Sequence, residues 1–342
     1  MLLLATLTSC KKDLGTSTPD DGFNQSGDQA ISFRLRDAFS KAPINDISDL
    51  AKEGNSFKVF GVFTGAEVGH VFDETGTPVN YSDGNWTYED PRYWMNGSYD
   101  FSAVYPSNVN ASYSSIDKVL TIADFEVTED KQEDLLVAFN TGIDGSKGSA
   151  NNPVTLNFRH LLTKINLKIQ QDFTEETGDP ENDYLIKSVT IGGVKNSCTY
   201  VATPSAASER GYKDGWSFNN TTTVFEKVYE TPVKLREHVD DQNVIQPLLV
   251  WDDALLQIPQ EIVSETVYLR IVYIYRLNGD ADGEKDRERT FETFIPATKD
   301  LWKSGIHIVY IISIANPSNI VLLPSKIEPW IDDQPGGTII IN

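Results

Sequence analysis

Val267, Leu269, Ile271, Tyr273 and Tyr275 occupy alternate positions of Thr266 to Leu277, with Arg270 and Arg276 on the opposite parity. An apolar period of two sustained over this length specifies an antiparallel strand with one face on a core and one in water. Ile306, Ile308, Tyr310, Ile312 and Ile314 repeat the pattern, and Phe57 to Phe63 is a further strand rich in aromatic and β-branched residues. Turn clusters separate such runs, among them Ser82-Asp83-Gly84-Asn85, Gly142 to Asn152 and Asn278-Gly279-Asp280. Helical candidates are few and short, Ile116 to Leu120 and Ala254 to Gln257. The chain therefore reads as all-β. Its 342 residues, 39% of them hydrophobic, suffice for two cores of ordinary size.

One segment breaks the alternation. Val154, Leu156 and Phe158 put their apolar face on even numbers, whereas Ile165, Leu167 and Ile169 put it on odd ones. A bulge, or a bend that passes the strand from one sheet to another, accounts for a slip between Arg159 and Thr163, because one extra residue inverts which side faces the core. The turn-rich stretch just before it, Gly142 to Pro153, is the expected domain boundary. The expectation is an N-terminal β-sandwich over residues 29–150 and a C-terminal one over 151–342.

The N-terminus carries an address. Leu7-Thr8-Ser9-Cys10 closes an apolar run from Leu2 and reads as a lipobox, in which Cys10 is acylated and becomes the first residue of the mature protein. Each buried methylene of an acyl chain contributes about 0.8 kcal/mol, so two or more chains hold the body at a membrane surface. Residues 1–10 are then a lipoprotein signal, and residues 11–28, rich in Gly, Ser, Thr and Asp, a flexible tether. With Cys10 lipidated, Cys198 stands alone and reads as a small buried hydrophobe. A net charge of −21 argues against nucleic acid as a partner.

Catalytic and metal constellations do not emerge. His70, His160, His238 and His307 are scattered without metal-ligand spacing, and no Gly-x-Ser-x-Gly elbow occurs. Asn278, Asp280, Asp282 and Gly283 match part of a calcium loop, but its twelfth position is Arg289 where a bidentate Glu is needed; an acidic hairpin tip is the simpler reading. The aromatic block from Trp86 through Trp94 to Tyr105 is read as core, with sugar stacking as the competing possibility. The expectation is a non-enzymatic chain without catalytic residues, metal or cofactor.

Several stretches taken in order carry a resemblance. These are Cys10, Phe39-Ser40-Lys41-Ala42, Phe57-Lys58-Val59-Phe60-Gly61, the aromatic block ending in Val104-Tyr105-Pro106, and Asp134-Leu135-Leu136-Val137-Ala138. Leu156 through Ile165, Val189 to Val194, Trp302-Lys303-Ser304-Gly305 and Ile327-Glu328-Pro329-Trp330 complete them. Together they resemble the fimbrillin family of Bacteroidetes, the Mfa-like and FimA-like subunits of type V pili. The resemblance implies two transthyretin-like β-sandwich domains in tandem and a lipoprotein displayed on the outer membrane that polymerises with other fimbrial subunits and contributes to adhesion. It further implies proteolytic maturation after a basic residue, here Lys41 before Ala42, that releases the first strand and lets a neighbour's strand refill its groove. Ile31, Phe33 and Leu35, alternating with Ser32, Arg34 and Arg36, suit a groove-filling strand. Ile339 and Ile341 in the C-terminal tail suit either a donated strand or the last strand of their own domain. The alternative is a surface lipoprotein that binds a glycan or a host protein and never polymerises.

Overall fold

The computed structural model describes residues 30–36, 50–65, 68–148, 152–174, 178–202, 215–280, 283–299 and 301–328. Cys10, the tether 11–28, Lys41, Ala42, Ile339 and Ile341 lie outside the described residues.

In chain order the strands are β1 (Phe33–Arg36), β2 (Ser56–Thr64), β3 (Val68–Ser82), β4 (Asn85–Thr87), β5 (Ser98–Tyr105), β6 (Ala111–Ser114) and β7 (Val119–Glu126). There follow β8 (Leu136–Asp144), β9 (Val154–Asn157), β10 (Arg159–His160), β11 (Thr163–Gln171), β12 (Asp183–Lys195), β13 (Ser197–Ala202) and β14 (Trp216–Phe218). The last are β15 (Thr222–Lys234), β16 (Leu248–Leu249), β17 (Leu255–Gln257), β18 (Tyr268–Arg276), β19 (Arg287–Phe294), β20 (His307–Asn316) and β21 (Asn319–Glu328). The all-β reading is met. Of the two expected short helices, Ile116 to Leu120 is instead a turn running into β7, and Ala254 to Gln257 contains β17. Four-residue apolar runs satisfy either geometry, and pairing with a neighbouring strand decides it.

A six-stranded sheet of order β10-β8-β5-β2-β3-β4 forms one half of the molecule. From Tyr99 to Tyr105 every residue of β5 is buried, which requires both faces of this sheet to be covered. Phe57, Val59, Phe101, Ala103, Leu136 and Ala138 face a core closed by β1 and β9, which pair in parallel. On the other face Phe60, Val62, Val104 and Val137 join a second core with Ala111, Tyr113, Leu120, Ile122 and Tyr200 of the sheet β14-β13-β7-β6. Strands from both sides of residue 150 therefore share sheets: β10 pairs with β8 and β13 with β7.

The same core continues into a sandwich of β15-β12-β18-β19 against a sheet built on β11, β20 and β21. At its centre β11 and β20 run parallel in register from Lys164↔His307 to Gln171↔Ile314. In β12, Tyr184 and Ile186 share the inward face with Val189 and Ile191, a parity change taken up by the register shift at Lys187. The slip read between Arg159 and Thr163 has a structural cause: the chain leaves β9, adds β10 to the six-stranded sheet, and enters the other sandwich as β11.

Leu167 of β11 is fully buried between the two sheets of this sandwich. Leu167→Ala is expected to lower the unfolding free energy by about 3 kcal/mol in urea denaturation, through lost transfer energy and the cavity left behind. A loss under about 1 kcal/mol would contradict that packing. Burial in β13 pushes the Cys198 thiol up to about 12. A maleimide at pH 8 should therefore label the peptide carrying Cys198 only in denaturant, and labelling of the native protein would contradict this burial.

Candidate functional site

The first strand lies in a groove with a wall on each side. On one side β1 follows β9 in the register Phe33↔Val154 to Arg36↔Asn157, and Val154 donates its N–H to the Ser32 carbonyl at 2.7 Å. On the other, Ala30 bridges to Tyr93 and the Ile31 N–H donates to the Arg92 carbonyl at 2.8 Å. Among the described residues, β9 is the only strand with which β1 forms a ladder.

The floor is apolar. Ile31 and Phe33 are 2% and 6% exposed, and Leu35 packs half-buried beside them. Four rings surround Phe33: Phe57 and Phe101 edge-on at 6.4 and 5.8 Å between centroids, Phe72 and Tyr88 tilted at 5.5 and 6.0 Å. Offset and edge-on contacts of this kind add to simple burial. Gly61 lets two of these rings come close: a Cβ there would meet Phe72 at 2.8 Å and Phe101 at 3.2 Å.

Tyr88 clamps the strand. Its hydroxyl donates to the Ile31 carbonyl at 2.7 Å and accepts from the Arg92 N–H at 3.3 Å. Burial raises its phenol, so the proton needed for that donation is held firmly. Arg92 in turn ties the clamp to the body, donating from Nε to the Val71 carbonyl at 3.1 Å. Below it, Tyr99 is pushed up to about 12 by burial, accepts from the Met95 N–H at 2.8 Å, and packs against Trp94 at 4.8 Å.

The aromatic block is thus largely the wall of this groove. Trp94 is 5% exposed, and Trp86 packs between Phe57 and Tyr81 at 5.0 and 5.1 Å, so the two indoles form no open stacking surface. Sequence reasoning singled out Ile31, Phe33 and Leu35 but missed Tyr88 and Arg92. Nothing in a polar stretch such as Thr87 to Arg92 marks one hydroxyl as the partner of a carbonyl 57 residues away.

Other residues singled out from the sequence make contacts of their own. His160 is buried with Nδ1 at 2.6 Å from Asp134 Oδ2, while Asp134 Oδ1 accepts from the Leu135 N–H at 2.8 Å. His70 lies 3.6 Å from Glu74. At the acidic hairpin tip Asp280 accepts from the Lys285 N–H, and Asp286 forms a two-point pair with Arg276 at 2.8 and 2.7 Å. That guanidinium holds the Asp286 carboxyl below the usual range. Among the described residues no group of three or more His, Cys, Asp or Glu is arranged to hold a metal ion.

The sequence model described as fimbrillin-like matches residues 45–330. This chain belongs to the fimbrillin-like family. Its fold is similar to that of a fimbrial protein from Bacteroides vulgatus, at 15% identity and a TM-score of 0.59, over 88% of this chain and 99% of that one. A candidate cell adhesion protein from Bacteroides ovatus is similar at 17% identity and a TM-score of 0.49, over 90% and 99% of the two chains. No curated protein matches. At 15% identity the first of these likenesses speaks for the β-sandwich fold alone.

Tyr88→Phe tests the clamp. It leaves the rings in place and deprives the Ile31 carbonyl of a donor, so stability should fall by about 1–2 kcal/mol in thermal or urea unfolding. Unchanged stability would mean that the clamp does not hold the strand.

Proposed function

We propose that this chain is a non-enzymatic structural subunit of cell-surface fimbriae, exported as a lipoprotein through Cys10 and assembled by strand exchange. A cut after Lys41, before Ala42, frees β1 together with the lipid, and a strand from a neighbouring subunit refills the groove. Membership of the fimbrillin-like family supports the fimbrial and adhesive role. The observation that carries the exchange is the seating of β1: a short strand, buried through Phe33 with Ile31 buried just before it, laddered to β9 alone among the described residues.

The physics favours replacement over an empty groove. Once β1 has left, the four rings around Phe33 and the edge of β9 face water together, a combination that pairs readily with any extended chain of suitable side chains. Backbone hydrogen bonds supply affinity in such an addition and alternate side chains supply specificity. The expected partners are other fimbrial subunits, with the outer membrane holding the precursor through its lipid.

Limited proteolysis of the full chain, followed by electrophoresis without boiling, tests this. Cleavage between residues 37 and 49 should convert the monomer into a ladder that collapses on boiling. A cleaved chain that stays monomeric at high concentration would sink the assembly reading. Ile31→Asp together with Phe33→Asp should abolish folding or export, and a normally folded double variant would contradict the groove-filling role.

A further inference from the structure

We propose that the outer face of the sheet β15-β12-β18-β19 is a binding platform for an uncharged polysaccharide, an activity separate from strand exchange and carried by the second sandwich.

Register builds the platform. Leu269, Ile271 and Tyr273 of β18 point into the core, so Tyr268, Arg270 and Val272 point outward, and directly paired residues on neighbouring strands share their side. Across the four strands one outward row reads Val224, Gly192, Tyr268, Phe294, and the next reads Glu226, Thr190, Arg270, Glu292. At the usual strand spacing each row is roughly 14 Å wide, longer than one sugar ring.

The first row is apolar, flat and open. Gly192 has no side chain, and the half-buried Tyr268 ring lies against its backbone: a Cβ there would meet ring atom Cε1 at 2.6 Å. Arg270 Cζ, 5.1 Å from the ring centroid, helps to fix the ring. Phe294 and Val224, at the two ends of the row, are 43% and 45% exposed. A ring fixed before a ligand arrives loses little freedom on binding, and an aromatic face attracts the C–H groups that a sugar turns to one side.

The second row selects the chemistry. Arg270 stands between two carboxylates, with Nε donating to Glu292 Oε2 at 2.7 Å, while Thr190 Oγ1 donates to Glu226 Oε1 at 3.4 Å. Each charged group already has a partner, so the row needs no counter-charge from a ligand. The remaining guanidinium N–H groups and carboxylate lone pairs suit hydroxyls, which both accept and donate. An anionic polymer meets two carboxylates to one guanidinium on a body of net charge −21, and a second copy carries the same −21. An uncharged chain of sugars meets neither obstacle.

Affinity electrophoresis of the full chain in native gels containing mannan, xylan or galactan, with hyaluronan as the acidic polymer, tests this. At least one uncharged polymer should retard the native chain, and hyaluronan should not. Phe294→Ala, at an exposed position of an edge strand, should weaken that binding about tenfold with an unchanged melting temperature, and Tyr268→Ala should weaken it at least as much. Ile116→Ala, 90% exposed in the turn before β7, should leave it unchanged. No retardation by any of the three uncharged polymers, or binding within about twofold of native in both ring variants, would overturn the platform. Retardation by hyaluronan alone, or retardation abolished by high salt, would overturn the uncharged chemistry. A native chain that sediments as a dimer and falls to monomer in Phe294→Ala would make this face an interface between copies and overturn the proposal in that way.

Discussion

One uninterrupted stretch, Val154 to Gln171, serves three sheets, and the arrangement of the molecule depends on it. As β9 it carries the first strand, as β10 it extends the six-stranded sheet, and as β11 it forms the centre of the second sandwich. Its crossing is pinned on both sides: the Leu161 N–H donates to the Leu135 carbonyl and the Gly305 N–H to the Leu162 carbonyl, each at 2.8 Å. Phe158 points into the core under β1, while Leu161 and Leu162 point into the other. The buried Asp134–His160 contact sits at this crossing. Buried polar pairs contribute little net stability, but removing one partner is costly because the other loses a buried contact.

That geometry explains how the first strand is deeply buried although β9 is its one ladder partner among the described residues. Its contacts are with β9, the Tyr88 to Tyr93 clamp and the ring pocket; Arg92 ties the clamp to Val71, Phe158 and Trp86 brace the pocket from behind, and β9 runs on into β10 of the six-stranded sheet. Full burial of an aliphatic or aromatic side chain contributes roughly 1.5–3 kcal/mol, and ordering one residue's backbone costs about 1–2 kcal/mol. The retention of a strand this short is therefore a close balance in which each plug residue counts.

The fold class was legible because alternation is a local property: the faces of β18 and β20 follow from their sequences with no knowledge of what they pack on. The parity slip near Arg159 was legible for the same reason. Pairing across residue 150 was not. That β13 would join β7 through Cys198↔Phe125 depends on complementarity between surfaces distant in sequence, and a Gly-rich segment such as Gly142 to Pro153 marks a bend equally well inside a fold or between two. Within the groove the apolar plugs announced themselves by spacing. The clamp did not, because a single hydroxyl to a single carbonyl leaves no periodic trace.

A subunit that assembles through strands must admit another chain at one place and refuse it at all others. The long edges bear signs of refusal. β15 carries Pro232 and the charges Glu226, Lys227 and Glu230, β19 carries Arg287, Glu288, Arg289 and Glu292, and β21 carries Pro324 and Lys326. Proline removes a ladder donor, and charge on an edge opposes docking of a second sheet. The edge of β9 differs in kind: Val154 and Leu156 are apolar, and β1 covers it. On the strand-exchange reading the blunted edges and the covered one are a single device, since an edge that stays covered until maturation needs no charge or proline of its own to prevent premature pairing.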